Sequence, residues 1–119
     1  MMYKFEKLEV WDLAMKFNAL SYDIADKLPE SEKYNLTSQL KRASTSIALN
    51  IAEGSTGQTN PEQLRFLSFA IRSHVEAVAC IRLIQERNYI NSSTELIDKF
   101  EELGSELFAK LNAFKRAIT

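Results

Sequence analysis

Apolar side chains recur every three or four residues in four separate stretches of this chain, and that spacing limits the fold more than any other feature. At ~100° per residue it gathers them on one flank of a helix. From about Glu9 to Leu28 the stripe is Val10, Leu13, Ala14, Phe17, Leu20, Ser21, Ile24 and Leu28, and Pro29 stops it. From about Glu32 to Glu53 it is Leu36, Leu40, Ala43, Ile47 and Ile51, followed by Gly54, which is expected as a left-handed C-cap. Asn60-Pro61-Glu62-Gln63 reads as a helix start, with Asn60 as the cap. The third stretch then carries Leu64, Leu67, Ile71, His74, Val75, Val78 and Ile81 to about Arg87. Ser92, Ser93 or Thr94 is expected to cap the last stretch, where Leu96, Phe100, Leu103, Leu107, Leu111, Phe114 and Ile118 form a seam. Gly104 interrupts that seam at a cost of ~1 kcal/mol relative to Ala, which implies close backbone approach.

The spacing thus predicts helices over about 9–28, 32–53, 60–87 and 93–117 in one domain, 1–119. No stretch alternates as a strand does, and three Gly and two Pro in 119 residues suit long helices with few turns. Four amphipathic helices on short connections predict an all-α, antiparallel up-down-up-down four-helix bundle.

The chain carries 15 basic and 16 acidic residues, a formal charge of −1, so it has no overall basic footprint for nucleic acid. A lone cysteine, Cys80, excludes an intrachain disulfide and fits a reducing, cytoplasmic setting. Met1 to Trp11 lacks the apolar run of a signal peptide, and nothing approaches the ~18 apolar residues of a membrane span.

Candidate chemistry is sparse. His74, the only histidine, lies on the core stripe with no ligand at metal spacing, so a satisfied, partly buried imidazole is expected. Cys80 has no histidine at helical reach and reads as a small buried hydrophobe. No acid, base and nucleophile converge. The expectation is a protein that is not an enzyme, without catalytic residues, metal, cofactor or small-molecule substrate.

Two surface features point to partners. Trp11, Met15 and Tyr22 form a second apolar ridge opposite the first, with Leu8 just before it. With Leu49 and Phe69 they form a candidate oligomer interface, because exposed aromatic ridges mark partner surfaces and a closed ring is the simplest homo-oligomer. Glu53 opposes the dipole at its helix end; a cation of a neighbouring copy, Lys41 or Arg42, is its candidate partner, and a solvated surface carboxylate is the more ordinary reading. The alternative is that Tyr3 to Leu8 folds back over Trp11. Separately, Ser38, Lys41, Arg42 and Thr45, enlarged by Arg65 and Arg72, are the candidate anion patch for an RNA backbone. Glu76 would partly neutralise that patch.

Certain runs carry a family resemblance: Phe5-Glu6-Lys7-Leu8-Glu9-Val10-Trp11, then Tyr34 and Leu36-Thr37-Ser38-Gln39-Leu40-Lys41-Arg42-Ala43, then Ser46-Ile47 and Asn50-Ile51-Ala52-Glu53-Gly54. Phe66-Leu67, Ala70, Ser73, Glu76 and Tyr89-Ile90 continue it. Together they resemble the bacterial four-helix bundle proteins encoded within intervening sequences of 23S ribosomal RNA genes. The resemblance implies a homopentamer and a link to RNA or a nucleic-acid-associated protein. This chain departs from the pattern with Asn35, Arg72 and Asn88 where Gly is usual, and Ala48 where Pro is usual. Asn tolerates left-handed backbone, so Asn35 and Asn88 are expected to keep those turns. An oligomer of this kind that binds RNA or a ribonucleoprotein is the leading expectation. A structural or adaptor oligomer that binds a protein without nucleic acid is the alternative.

Overall fold

The computed structural model describes residues 2–57, 59–91 and 93–119. Among them are four α-helices and no strand: α1 (Glu9–Ala25), α2 (Leu36–Gly54), α3 (Asn60–Glu86) and α4 (Glu95–Ala117), with single 3-10 turns at Lys4–Lys7 and Glu30–Glu32. The molecule measures 44 × 26 × 25 Å, and its long axis is set by the 27 residues of α3, about 40 Å at helical rise. α2 lies against α1 and α3, and α4 lies against the same two helices.

The core sits where these helices meet. Phe17, Leu40, Ile47, Ile81, Ile84 and Leu107 are fully enclosed, and the Phe17 ring lies 4.6 Å from that of Phe100, centroid to centroid. The stripes of α1 and α2 face inward as the spacing predicts. Those of α3 and α4 are rotated. α3 buries Leu67, Ala70, His74, Ala77, Ile81 and Ile84, while Val75 is more than half exposed. The reason is size. α3 contacts two helices, and Ala70 and Ala77 at the centre of its inner face let both approach, which moves Ile71 and Val78 to the margins. α4 likewise buries Ile97, Phe100, Gly104, Leu107 and Leu111, with Leu96, Leu103 and Phe114 beside them.

The helix ends correct several expectations. α1 stops at Ala25. Its last turn tightens to i→i+3 bonds, Lys27 N–H to the Ile24 carbonyl at 3.0 Å and Leu28 N–H to that of Ala25 at 3.2 Å, ahead of Pro29. α2 begins at Leu36, four residues later than the pattern indicates, because the backbone of Asn35 (φ −125°, ψ −107°) is not helical. Nor is Asn35 left-handed. The Glu32 carboxylate does the capping: it accepts from Leu36 N–H at 3.3 Å, from the Asn35 amide at 2.9 Å and from the Tyr89 hydroxyl at 2.8 Å. Tyr89 thereby ties the α3–α4 connection to the α1–α2 connection.

Gly54 is not a left-handed cap either: it is the last residue of α2, and no glycine has positive φ. A Cβ at Gly54 would stand 2.9 Å from Phe66 Cβ, so the close approach of α2 to α3 explains the glycine. Asn88 does take the left-handed conformation (φ 59°). Asn88 N–H bonds the Gln85 carbonyl at 3.0 Å and Tyr89 N–H that of Ile84 at 3.2 Å, the paired bonds of a Schellman ending. Thr59 rather than Asn60 caps α3, accepting from Glu62 N–H at 3.3 Å. Of the three residues proposed to cap α4, Thr94 does so, accepting from Ile97 N–H at 3.3 Å, and Ser92 lies outside the described residues.

Candidate functional site

The face formed by α1 and α2 brings most of the candidate residues together. Along α1, positions 11, 15, 18 and 22 share one flank, four, three and four residues apart. Along α2, positions 38, 41, 42, 45, 49 and 53 face it. Between the helices runs one groove of about 360 Å³ lined by Trp11, Met15, Asn18, Thr45, Ala48 and Leu49. A second, of about 440 Å³, is lined by Tyr22, Lys41, Arg42, Thr45, Ser46, Leu49, Asn50 and Glu53. Thr45 and Leu49 belong to both, so the two grooves adjoin on one face.

Met15, Tyr22 and Leu49 are exposed, Leu49 by 54%. Trp11 is not bare. Phe5 stands edge-on to its indole at 4.6 Å, and only part of the ring reaches solvent. The 3-10 turn at Lys4–Lys7 thus folds back over Trp11, which withdraws it from the centre of the candidate interface.

The two cations adjacent in sequence differ. Lys41 Nζ is 3.1 Å from the Asp26 carboxylate and 4.9 Å from the centre of the Tyr22 ring, so its charge is committed within the chain. Arg42 is exposed and forms no salt bridge among the described residues. The same holds for Glu53, three turns further along the same groove. The Thr45 hydroxyl accepts from the Asn18 amide at 3.1 Å, while Ser38 is half-buried and lies outside both grooves.

Arg65 does not join Lys41. Gly54 meets Phe66, which places Arg65 near the far end of α2, roughly 20 Å from Lys41 along the axis at ~1.5 Å per residue. The Arg65 guanidinium lies 5.4 Å from the centre of the Phe69 ring, and Phe69, half-buried edge-on against Phe66, belongs to that end as well. Arg65 is therefore apart from Ser38, Lys41, Arg42 and Thr45, while Arg72, next to the Ser73 that bonds Ser46, lies level with the middle of α2 and outside both grooves.

Sequence reasoning missed the polar rungs beside this face. Asn18 Nδ2 donates to Ser44 Oγ at 3.0 Å as well as to Thr45, and Ser73 Oγ donates to Ser46 Oγ at 2.9 Å between α3 and α2. Asn50 Nδ2 donates to the Ser46 carbonyl at 2.8 Å. One signal was available: Asn18 interrupts the Trp11–Met15–Tyr22 ridge on the same flank, a polar residue placed to meet the Ser-rich helix.

His74 is buried, stacked on Phe17 at 5.2 Å, with Nε2 2.8 Å from the Gly104 carbonyl oxygen. Burial pushes its pKa down, against that hydrogen bond. Burial pushes the Cys80 thiol up, with Glu76 adding in the same direction, away from a nucleophilic thiolate. Six residues on one helix set the two about 120° apart around its axis and about 9 Å apart along it, so they do not form a dyad. Among the described residues no group of three or more His, Cys, Asp or Glu can hold a metal ion, and no helix is long and apolar enough to cross a membrane.

Residues 6–112 match the family described as 23S rRNA-intervening sequence protein. The chain belongs to that family. No curated protein matches it. A crystal structure of a protein of unknown function from the S23 ribosomal protein family of Bacteroides thetaiotaomicron is similar in fold, with a TM-score of 0.79. It is 21% identical, and the likeness covers 89% of this chain and 97% of that one. The family match takes in α1, α2, α3 and most of α4, and therefore every candidate residue of the α1/α2 face.

Proposed function

We propose that this protein is a non-enzymatic, cytoplasmic up-down-up-down bundle that closes into a cyclic homo-oligomer, a pentamer as its family resemblance implies, and that the assembled ring holds RNA or a ribonucleoprotein. One observation carries the assembly: Met15, Tyr22 and Leu49 are exposed on a single grooved face that also presents Arg42 and Glu53 without an ion pair among the described residues. Apolar surface flanked by unpaired charges of both signs suits a second copy of itself.

Sedimentation and light scattering test this. The protein at micromolar concentration is expected at a multiple of 13.6 kDa. Leu49→Asp is expected to return it to the single-chain mass with helical content intact, because Leu49 contributes surface and no core. Trp11 is a poorer probe, since its packing on Phe5 couples interface to fold. A wild-type mass near 13.6 kDa removes the ring.

RNA binding rests on Arg65 and Arg72, the exposed cations of the candidate patch that lie outside the grooved face. Two phosphate contacts on a single strand give a log–log salt slope of about −1.4, or roughly sevenfold weaker binding from 50 to 200 mM salt. Filter binding across that range measures it. The engagement of Lys41 with Asp26 favours a second reading, an adaptor oligomer that binds a protein and no nucleic acid. Absence of any salt-dependent RNA retention would select that reading.

A further inference from the structure

Between α3 and α4 lies a groove of about 290 Å³, on the side of the bundle away from the α1/α2 face. Val75, Val78 and Phe108 line it, with Val75 54% and Phe108 40% exposed. The fold therefore leaves apolar surface bare on two opposite sides. A contact of the α1/α2 face with itself would be two-fold, would stop at two copies and would leave this groove in water. A contact between the two different faces leaves one of each at the ends of any row of copies, so growth stops only when the row closes into a ring.

We propose that the α3/α4 groove is the other half of the subunit contact: the α1/α2 face of one copy, led by Leu49, seats on the α3/α4 groove of the next. This rests on the ring reading above and names the second surface such a ring needs. The order of charges along the helices carries it. Gly54 meets Phe66 and Ser46 bonds Ser73, so α2 and α3 run in opposite directions. His74 bonds Gly104 and Arg82 bonds Glu101, so α3 and α4 do too, and α2 and α4 run the same way. The Ser46–Ser73 and His74–Gly104 bonds put Ser46 and Gly104 at nearly one level. From that level, at ~1.5 Å per residue, Arg42 lies about 6 Å and Glu101 about 4.5 Å toward the helix N-termini. In the other direction Leu49 lies about 4.5 Å away, Phe108 about 6 Å, Glu53 about 10 Å and Lys115 about 16 Å. Glu101, Phe108 and Lys115 follow one another at two-turn intervals, which keeps them on one flank of α4. A ring axis parallel to the bundle sets each level of one copy beside the same level of the next. Cation, leucine and acid on α2 then face acid, phenylalanine and cation on α4, and Lys115 reaches the last turn between it and Glu53 with its long side chain. Arg42, Glu53 and Lys115 form no ion pair among the described residues. Glu101, although held by Arg82, has acceptor sites left for a second cation.

Val75→Asp puts a carboxylate into the groove and leaves the α1/α2 face untouched. Sedimentation is expected to show it fallen from the assembled mass to 13.6 kDa, as Leu49→Asp is. Mixed one to one, the two variants keep a single intact contact between them, and pairs of twice 13.6 kDa are expected with nothing larger. Glu101→Lys is expected to raise the concentration needed for assembly, and Arg42→Glu in the same chain to restore it, a rescue that loss of the Arg82 pair alone would not allow. If circular dichroism shows Val75→Asp unfolded, Ser105→Trp at the exposed rim takes its place. A wild type at 13.6 kDa overturns the ring and this contact together. A wild type that assembles while Val75→Asp assembles equally, or a mixture that stays at 13.6 kDa, overturns this contact alone.

Discussion

Gly54→Ala is the sharpest test of how α2 and α3 are held together. In the wild type, Gly54 and Phe66 bring two backbones so close that a Cβ at position 54 lies 2.9 Å from Phe66 Cβ, where ordinary contact begins at 3.4 Å. The shortfall is 3.4 − 2.9 = 0.5 Å. Neither carbon can swing aside, because each is fixed directly to its own helix. The helices must part, and the Ser46–Ser73 hydrogen bond further along the seam resists. Overpacking of this kind costs about 1–3 kcal/mol. Alanine recovers something less than ~1 kcal/mol of helix propensity, since Gly54 is the terminal residue of α2. The net loss is about 1–2 kcal/mol, or a Tm lower by roughly 4–10 °C for a domain of this length. Thermal and urea denaturation followed by circular dichroism measure it. Gly54→Asn is expected to lose at least as much, although asparagine would be accepted at a left-handed cap. Phe66→Gly in the Gly54→Ala background removes the opposing carbon, so the pair is expected to be more stable than the sum of the single changes. A Gly54→Ala protein as stable as the wild type refutes the close-contact reasoning.

Asn88→Ala places a Cβ-bearing residue without a polar side chain at φ 59°, at a cost of about 1 kcal/mol, whereas Asn88→Gly is expected to be neutral or stabilising; chemical denaturation separates them. The folded-state pKa of His74 is depressed by burial, so the unfolded chain binds its proton first and stability is expected to fall as pH drops below the ordinary value near 6.5. His74→Phe removes that slope between pH 7.5 and 5, and an unchanged slope contradicts the assignment. The Tyr89 hydroxyl, then the Asn35 amide and Leu36 N–H, hold Glu32 below the usual carboxylate range. The contribution of Glu32 is therefore complete above its unfolded pKa and is lost as pH falls through the folded one. Tyr89→Phe is expected to move that acid limb to higher pH, read from Tm against pH.

Periodicity made four helices and most of the core of α1 and α2 legible, because each has one wide apolar stripe and little choice of face. It was less informative for α3, where apolar residues occur all round and alanine size decides the inward flank. Ala70 and Ala77 look unremarkable in a hydropathy pattern, yet they set the rotation that exposes Val75. Glycine was legible as a special position but ambiguous in cause. At Gly104 the expected close approach is what the fold contains, with a Cβ there meeting Phe17 at 3.1 Å. At Gly54 the handedness inferred from sequence was wrong and crowding was the reason. The Glu32–Tyr89 bond spans 57 residues, a separation no local pattern encodes.

Candidate surface residues fared according to the same distinction. Helical spacing grouped Met15 with Tyr22 on one flank of α1 and Arg42 with Leu49 on one flank of α2, since that is a property of single helices; only the packing of α1 on α2 joins the two flanks. It had no means of pairing Lys41 with Asp26, or of laying Phe5 on Trp11, because both depend on how the chain turns back between elements. Nor did it reveal that Arg65 lies beside the opposite end of α2.

The anion patch and the apolar ridge turn out to share a groove, and that makes the two proposed roles separable. Arg42 lines the same groove as Tyr22, Leu49 and Glu53. A copy that covered this face would desolvate Arg42, and phosphate could no longer reach it without displacing that copy. Arg65 and Arg72 are exposed on α3, outside both grooves. If the assembled form is the one that holds RNA, the cations therefore divide by function. Arg42→Ala is expected to weaken assembly, more so at low salt, and to leave RNA retention per assembled particle unchanged. Arg72→Ala is expected to leave the mass unchanged and to reduce the log–log salt slope by about 0.7, one phosphate on a single strand. Sedimentation and filter binding on the same samples give both readouts. Loss of RNA retention by Arg42→Ala with the assembly intact would mean that the groove holds RNA itself, and that copies meet through another face.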